Sequence, residues 1–237
     1  EIPRIVDVLW YVNDIDFRGA ARLEPSRFAK GNRIHARASI LYGGKELQMD
    51  LPVVVVGNAP PWIEDARLEQ QGPFTESVVR AVVKATDPDG DPLTFRYTWF
   101  VDDRKIFEGG DTFALNGVKK GSWIHFQVIP NDGSTDGGWK YSPKYQVRNS
   151  PPVVKTAPPV SIAPGGVFTH TIDARDPDGD PLTFSLEKAP PGMTLSGATL
   201  SWTVPDDAYG KNVEVVVRIS DNDGGVTQTT FSMVPRK

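Results

Sequence analysis

The chain has 237 residues, 39% of them hydrophobic and 24% charged, which suits two domains plus part of a third in an ordinary folded soluble protein. A net charge of −4 gives no basic surface to follow a phosphate backbone, so nucleic acid is not an expected partner. The longest apolar run, Leu51–Val56, is far short of the roughly 20 residues of a membrane span, and the absence of cysteine excludes disulfides, thiolate metal sites and cysteine catalysis.

In chain order, the local pattern predicts strands and turns almost throughout. Leu23–Phe28 has room for one helical turn, and no longer amphipathic helix is expected. Val78–Ala85 alternates weakly, Phe95–Val101 is aromatic and β-branched, and His125–Ile129 reads as a further strand. Thr199–Val204, Val213–Ile219 and Val226–Val234 follow in the same style. Asp132-Gly133, Asp136-Gly137-Gly138 and Asp221-Asn222-Asp223-Gly224-Gly225 supply turn chemistry between them.

Internal repetition is the strongest signal. Leu9-Trp10-Tyr11-Val12-Asn13-Asp14 matches Thr98-Trp99-Phe100-Val101-Asp102-Asp103 at an offset of 89, Lys30-Gly31 matches Lys120-Gly121 at 90, and Asn58-Ala59-Pro60-Pro61 matches Asn149-Ser150-Pro151-Pro152 at 91. The run Asp87-Pro88-Asp89-Gly90-Asp91-Pro92-Leu93-Thr94-Phe95 recurs identically at 176–184. A period near 90 residues, all of it β, is that of a β-sandwich of the immunoglobulin type. The expected division is a partial domain over 1–57, lacking its first strands and its acidic loop, then complete sandwiches over 58–148 and 149–237. Paired prolines at both junctions favour extended backbone, so an end-to-end rod is expected. Glu1 is no natural start, and the expectation is that missing strands either precede it or are supplied by another chain through β-addition.

The third repeat resembles the cadherin-like, dystroglycan-type domains of bacterial surface proteins. The resemblance rests on Asp173 to Leu186, on Pro190-Pro191-Gly192-Met193-Thr194, on Leu200-Ser201-Trp202-Thr203-Val204-Pro205 and on Ile219 to Gly225. The second repeat shares the acidic loop but lacks the Pro-Gly-Met-Thr and Leu-Ser-Trp stretches, and is closer to a bacterial immunoglobulin-like repeat. The resemblance implies tandem immunoglobulin-like or cadherin-like sandwiches in large extracellular or cell-surface proteins, with a periplasmic place also open, and frequent calcium binding and adhesion. It does not fix one function.

Placed on such a sandwich, the acidic loops fall at one end, where the incoming linker arrives. Asp176, Asp178, Asp180, Asp221 and Asp223 of the third repeat, and Asp87, Asp89, Asp91 and Asp132 of the second, are candidate Ca2+ ligands, because a hard cation takes oxygen donors that carboxylates between glycines can supply. The same residues are also ordinary turn formers, and both readings stand. Trp10, Trp99 and Trp202 are expected in the core, while Trp62, Trp123 and Trp139 fall in linker or strand-end positions where a sugar or partner could contact them. Three scattered histidines give no metal spacing, and no nucleophile elbow or phosphate loop occurs. The chain therefore reads as a non-catalytic structural or adhesive segment. A filament subunit completed by another chain, and a glycan-binding accessory module of a secreted enzyme, are the alternatives. Other protein chains, further domains or glycans are the expected partners.

Overall fold

The computed structural model describes residues 2–18, 22–155 and 166–236. Its strands form three groups, and no sheet takes strands from more than one of them. Among the described residues, helical structure is confined to two single 3-10 turns, Pro25–Arg27 and Asp206–Ala208; the first lies inside the segment given room for one helical turn.

The first unit is a single antiparallel sheet. It contains β1 (Arg4–Val12), β2 (Ile15–Phe17), β3 (Arg33–Tyr42), β4 (Lys45–Asp50) and β5 (Val54–Val55), in the order β2-β1-β3-β4 with β5 also on β3. The second unit contains β6 (Trp62–Leu68), β7 (Val78–Thr86), β8 (Thr94–Val101), β9 (Arg104–Gly109), β10 (Thr112–Ala114), β11 (Trp123–Asn131), β12 (Lys140–Tyr141) and β13 (Tyr145–Gln146). Its larger sheet runs β9-β8-β11-β12 with β13 on β11, which is the first unit's sheet repeated strand for strand. The repeat extends to the turns. Asn13 and Asp14 (φ 48° and 67°) close the β1–β2 hairpin, and Asp102 and Asp103 (φ 48° and 63°) close β8–β9. Two successive positive φ values belong to the tight hairpin turn whose twist matches the strands, and Asn and Asp tolerate them best.

The two sheets differ in what covers them. In the second unit a three-stranded sheet, β10-β7-β6, lies against the larger one. Between them Trp99, Phe126, Ile124, Val128, Leu68, Val79 and Leu115 are fully buried. Trp99 stacks on Phe113 at 5.5 Å, sits 5.0 Å from Phe126 and donates its indole N–H to the carbonyl of Gly110 at 3.2 Å. In the first unit, Trp10 pairs with Ala36 as Trp99 pairs with Phe126. Yet Trp10 is only half-buried, and Leu47 (54% exposed) and Met49 (48%) on the same face look into solvent. No second sheet covers that face among the described residues. The expectation that Trp10 is a core residue is thus met only in part, for want of an opposing layer rather than of apolar character.

The third unit contains β14 (Val153–Val154), β15 (Val167–Thr171), β16 (Ala174–Arg175), β17 (Thr183–Lys188), β18 (Thr194–Ser196), β19 (Thr199–Thr203), β20 (Val213–Ser220) and β21 (Val226–Met233). The sheets β17-β20-β21 and β15-β19-β18 enclose Trp202, Leu200, Val215, Val217, Ile219 and Met233, with the β14–β16 pair beside them. The Val-Glu-Val-Val-Val-Arg-Ile run of β20 buries Val215, Val217 and Ile219 on alternate positions, as a strand with one face in the core requires. All-β, tandem immunoglobulin-like architecture follows from these sheets.

Candidate functional site: the acidic loops at the two junctions

Each acidic loop is organised by its first aspartate. Asp87 follows β7, and its Oδ1 accepts the backbone N–H groups of Asp89 (2.9 Å) and Asp91 (3.0 Å). Asp176 follows β16 and does the same for Asp178 (2.8 Å) and Asp180 (3.3 Å). Short Asx side chains fold the backbone back on itself in this way, and Gly90 and Gly179 (φ +77° and +83°) supply the left-handed turn residue. In both loops the other oxygen of the first aspartate, Oδ2, is buried without a hydrogen-bond partner, and so is Oδ1 of Asp178.

The remaining aspartates grip the incoming linker. Asp89 accepts the N–H of Ala59 at 2.8 Å, and Asp178 that of Ser150 at 2.7 Å. Asp132, buried after β11, accepts the side-chain amide of Asn58 at 2.7 Å and the N–H groups of Ser134 and Thr135, each at 2.7 Å. Asp221, buried after β20, accepts the amide of Asn149 at 2.6 Å and the N–H groups of Asp223 (2.7 Å) and Gly225 (2.9 Å). A Cβ at residue 225 would lie 1.9 Å from Asp221 Oδ2 and 2.9 Å from Pro151 Cα, so the close approach of hairpin and linker admits only glycine.

A lysine from the preceding unit completes each junction. Lys30 Nζ donates to Asp91 Oδ2 at 2.5 Å. Lys120 Nζ donates to Asp180, to Asp223 at 2.7 Å and to Asn149 Oδ1 at 2.9 Å. Both lysines sit in the Lys-Gly pair of the repeat, just before β3 and β11. The second junction has further contacts: Arg175 forks onto Glu76 at 2.7 and 3.1 Å, and the Thr75 and Ser150 hydroxyls lie 2.6 Å apart in a buried pair.

Carboxylate oxygens of Asp87, Asp89 and Asp91 fall within 4.8 Å of one another, as do those of Asp176, Asp180 and Asp221. Asp132, Asp178 and Asp223 belong to neither trio; they hold Asn58, Ser150 and Lys120 respectively. The sequence reading had not singled out Lys30, Lys120, Asn58, Asn149, Glu76 or Arg175 as site residues. The first four were visible only as repeat markers.

The charges set a pH range. The Asn58 amide and backbone N–H groups hold the Asp132 carboxyl below the usual aspartate value. For Asp221, burial pushes upward but is outweighed by the Asp223 N–H, the Asn149 amide and the Gly225 N–H. Lys30 is raised by its bond to Asp91, and Lys120 by those to Asp180 and Asp223. Depressed carboxyls stabilise above the ordinary value of about 3.9, and that share is lost as pH falls through the folded-state values; raised lysines stabilise below about 10.4, and theirs is lost as pH rises through the folded-state values. The melting temperature is therefore expected to plateau between about pH 5 and 9 and to fall on both sides. A scan in which it declines steadily across that plateau runs against this account.

Elsewhere, His35 stacks on Tyr11 (4.5 Å) and His125 on Phe100 (4.9 Å), the same pair in two units, which makes them scaffold. His170 packs near Phe231 at 6.2 Å. Trp62, Trp123 and Trp139 are 49%, 46% and 62% exposed, as their positions suggested. No helix of the described residues is long and apolar enough to cross a membrane.

Residues 149–234 match the bacterial Ig domain family. Chitinase A of Pseudoalteromonas piscicida is 29% identical over 92 residues, covering 38% of this chain and 11% of that protein. The chain thus spans only a small part of this relative. Among solved structures, the insect immune protein hemolin is 10% identical (TM-score 0.40; 99% of this chain, 71% of that one). Cadherin domains 3–6 of protocadherin gamma B2 are 15% identical (0.32; 98% and 68%), and the endo-fucoidan hydrolase MfFcnA4 is 16% identical (0.32; 87% and 34%). The family match falls on the repeat whose motifs carried the resemblance stated from sequence.

Proposed function

We propose that this chain of bacterial immunoglobulin-like units is a non-catalytic structural or adhesive segment of an extracellular or cell-surface protein, divided at 1–57, 58–148 and 149–237 into units joined as a stiff rod. The observation that carries this reading is the repeated junction. Linker amide, linker N–H and preceding lysine each meet the same three aspartates of the next unit, at both junctions. A chemistry-bearing cleft has no need of such duplication, whereas a spacer built from repeats does.

Calcium fits the loops. The donors are all oxygen, and Asp87 Oδ2, Asp176 Oδ2 and Asp178 Oδ1 are buried carboxylate oxygens with no partner, which a cation would satisfy. Asp87, Asp89 and Asp91 would hold one ion, and Asp176, Asp180 and Asp221 another, with Asp178, Asp223 and Asp132 beside them. Such an ion neutralises carboxylates that otherwise repel. Calorimetric titration with Ca2+, paired with melting in Ca2+ and in chelator, tests this. A higher melting temperature in Ca2+ is expected, abolished by Asp178→Ala with Asp180→Ala. Identical melting at millimolar Ca2+ and in chelator reduces the loops to turns.

A filament subunit is the second reading, favoured by the uncovered apolar face of the first sheet, with Ile5, Leu47 and Met49 exposed. Sedimentation distinguishes it, since a monomer at every concentration removes it. A glycan-binding accessory module is the third. Exposed Trp62, Trp123 and Trp139 support it, together with the likeness of part of the chain to a protein named as a chitinase. Absence of retention on any insoluble polysaccharide removes it.

A further inference from the structure

We propose that Lys30 and Lys120 are the junctions' own cations: each ammonium, tethered to one unit, sits in the acidic head of the next and holds the junction closed without metal. The placement is the same twice over. Lys30 and Lys120 are repeat-equivalent, and so are their acceptors Asp91 and Asp180. Chance surface pairing between long flexible side chains does not reproduce itself at equivalent positions of two junctions.

The local charge explains why a cation is wanted there. Asp87, Asp89, Asp91 and Asp132 converge on the first junction. Asp176, Asp178, Asp180, Asp221 and Asp223 converge on the second. Unneutralised, these carboxylates repel one another and the loop cannot close on the linker. An ammonium on a four-carbon stem is a compact point charge with three donors, and Lys120 uses all three, on Asp180, Asp223 and Asn149. It therefore ties the linker asparagine to both acidic loops at one point.

The inference rests on the cation reading above for the place of a divalent ion, and it bears on how that ion is regulated. Asp91 and Asp180 are each both a lysine acceptor and a member of a carboxylate trio. A divalent ion taking the trio must share or displace the lysine. The lysine thus sets a threshold: the junction is closed by ammonium at low Ca2+, and by the divalent ion only once it outcompetes the tether. A charge of +1 within several ångströms of the ion weakens its binding by roughly tenfold at an effective dielectric near that of a wet surface.

The test uses the full chain with Lys30→Met and Lys120→Met together, which keeps the aliphatic stems and removes the charges, and with Lys→Arg at both positions as the charge-retaining control. The chain has no cysteine, so Lys105→Cys and Thr230→Cys give two clean spin-label sites on the second and third units. In chelator, the Met variant is expected to show a broader inter-label distance distribution than the wild type, and the Arg variant to restore it. An unchanged distribution in the Met variant, with circular dichroism showing it folded, overturns the proposal. With Ca2+, the Met variant is expected to bind about tenfold tighter than the wild type; equal dissociation constants overturn the shared-carboxylate argument. If neither protein binds Ca2+, the calcium reading fails, and the distances in chelator judge the lysines separately.

Discussion

Trp99→Ala is expected to destabilise the second unit by about 3–5 kcal/mol, the range for deleting a buried indole. Trp99 has no exposed surface, fills the space between two sheets beside Phe113 and Phe126, and leaves the carbonyl of Gly110 without its donor when removed. Trp10→Ala, at the equivalent position of the first unit, is expected to cost a fraction of this, because that indole lies on a sheet face that nothing covers and already meets water. Three units do not unfold as one two-state system, so the comparison is read on each unit's own transition in denaturant. Equal losses for the two tryptophans mean that the first sheet's apolar face is covered in solution.

The second large effect is expected at Asp221. Its carboxylate is 2% exposed, and it joins the β20–β21 hairpin to the linker by accepting from Asp223, Gly225 and Asn149. Asp221→Ala leaves two backbone donors and one amide without their charged acceptor in a buried place, where each loss counts fully. The third unit's melting temperature is expected to fall by several degrees or more. Hydrogen exchange at Asp223 and Gly225 should rise with it. Asp221→Asn is expected to recover only part of the loss, because an amide nitrogen would face the amide of Asn149. Full recovery by asparagine would show that charge plays no part. Metal removal from the wild type gives the converse check, since the clamp to Asn149 is made by the protein alone.

Much of this was legible in the sequence because repetition marks equivalent positions. Offsets near 89 located Trp10 against Trp99 and the two acidic loops against each other, and the sheets align accordingly. Alternation in Val213–Ile219 placed β20, and the Asn-Asp and Asp-Asp pairs placed the tight hairpins. What could not be read is what lies across a gap in the chain. Lys30 is 61 residues from Asp91, and Lys120 is 103 from Asp223, so their meeting depends on how one unit seats on the next. Asp132 and Asp221 looked like loop carboxylates free for a metal. Their burial against Asn58 and Asn149 is a tertiary fact, although the asparagine at the start of both Pro-Pro linkers was a usable hint. Trp10 read as core because local character does not say whether a second layer is present.

The junction also gives the chain a grammar. Each unit ends in the lysine and asparagine that the next unit's aspartates accept, so every tail fits every head. Excising residues 58–148 would bring Lys30 to Asp180 and Asn58 in place of Asn149 against Asp221, with the same donors meeting the same acceptors. Unequal crossing-over between repeats would therefore lengthen or shorten the protein by whole words without spoiling a joint. Reach becomes a trait that evolution can adjust by copying, leaving the chemistry of the joint untouched.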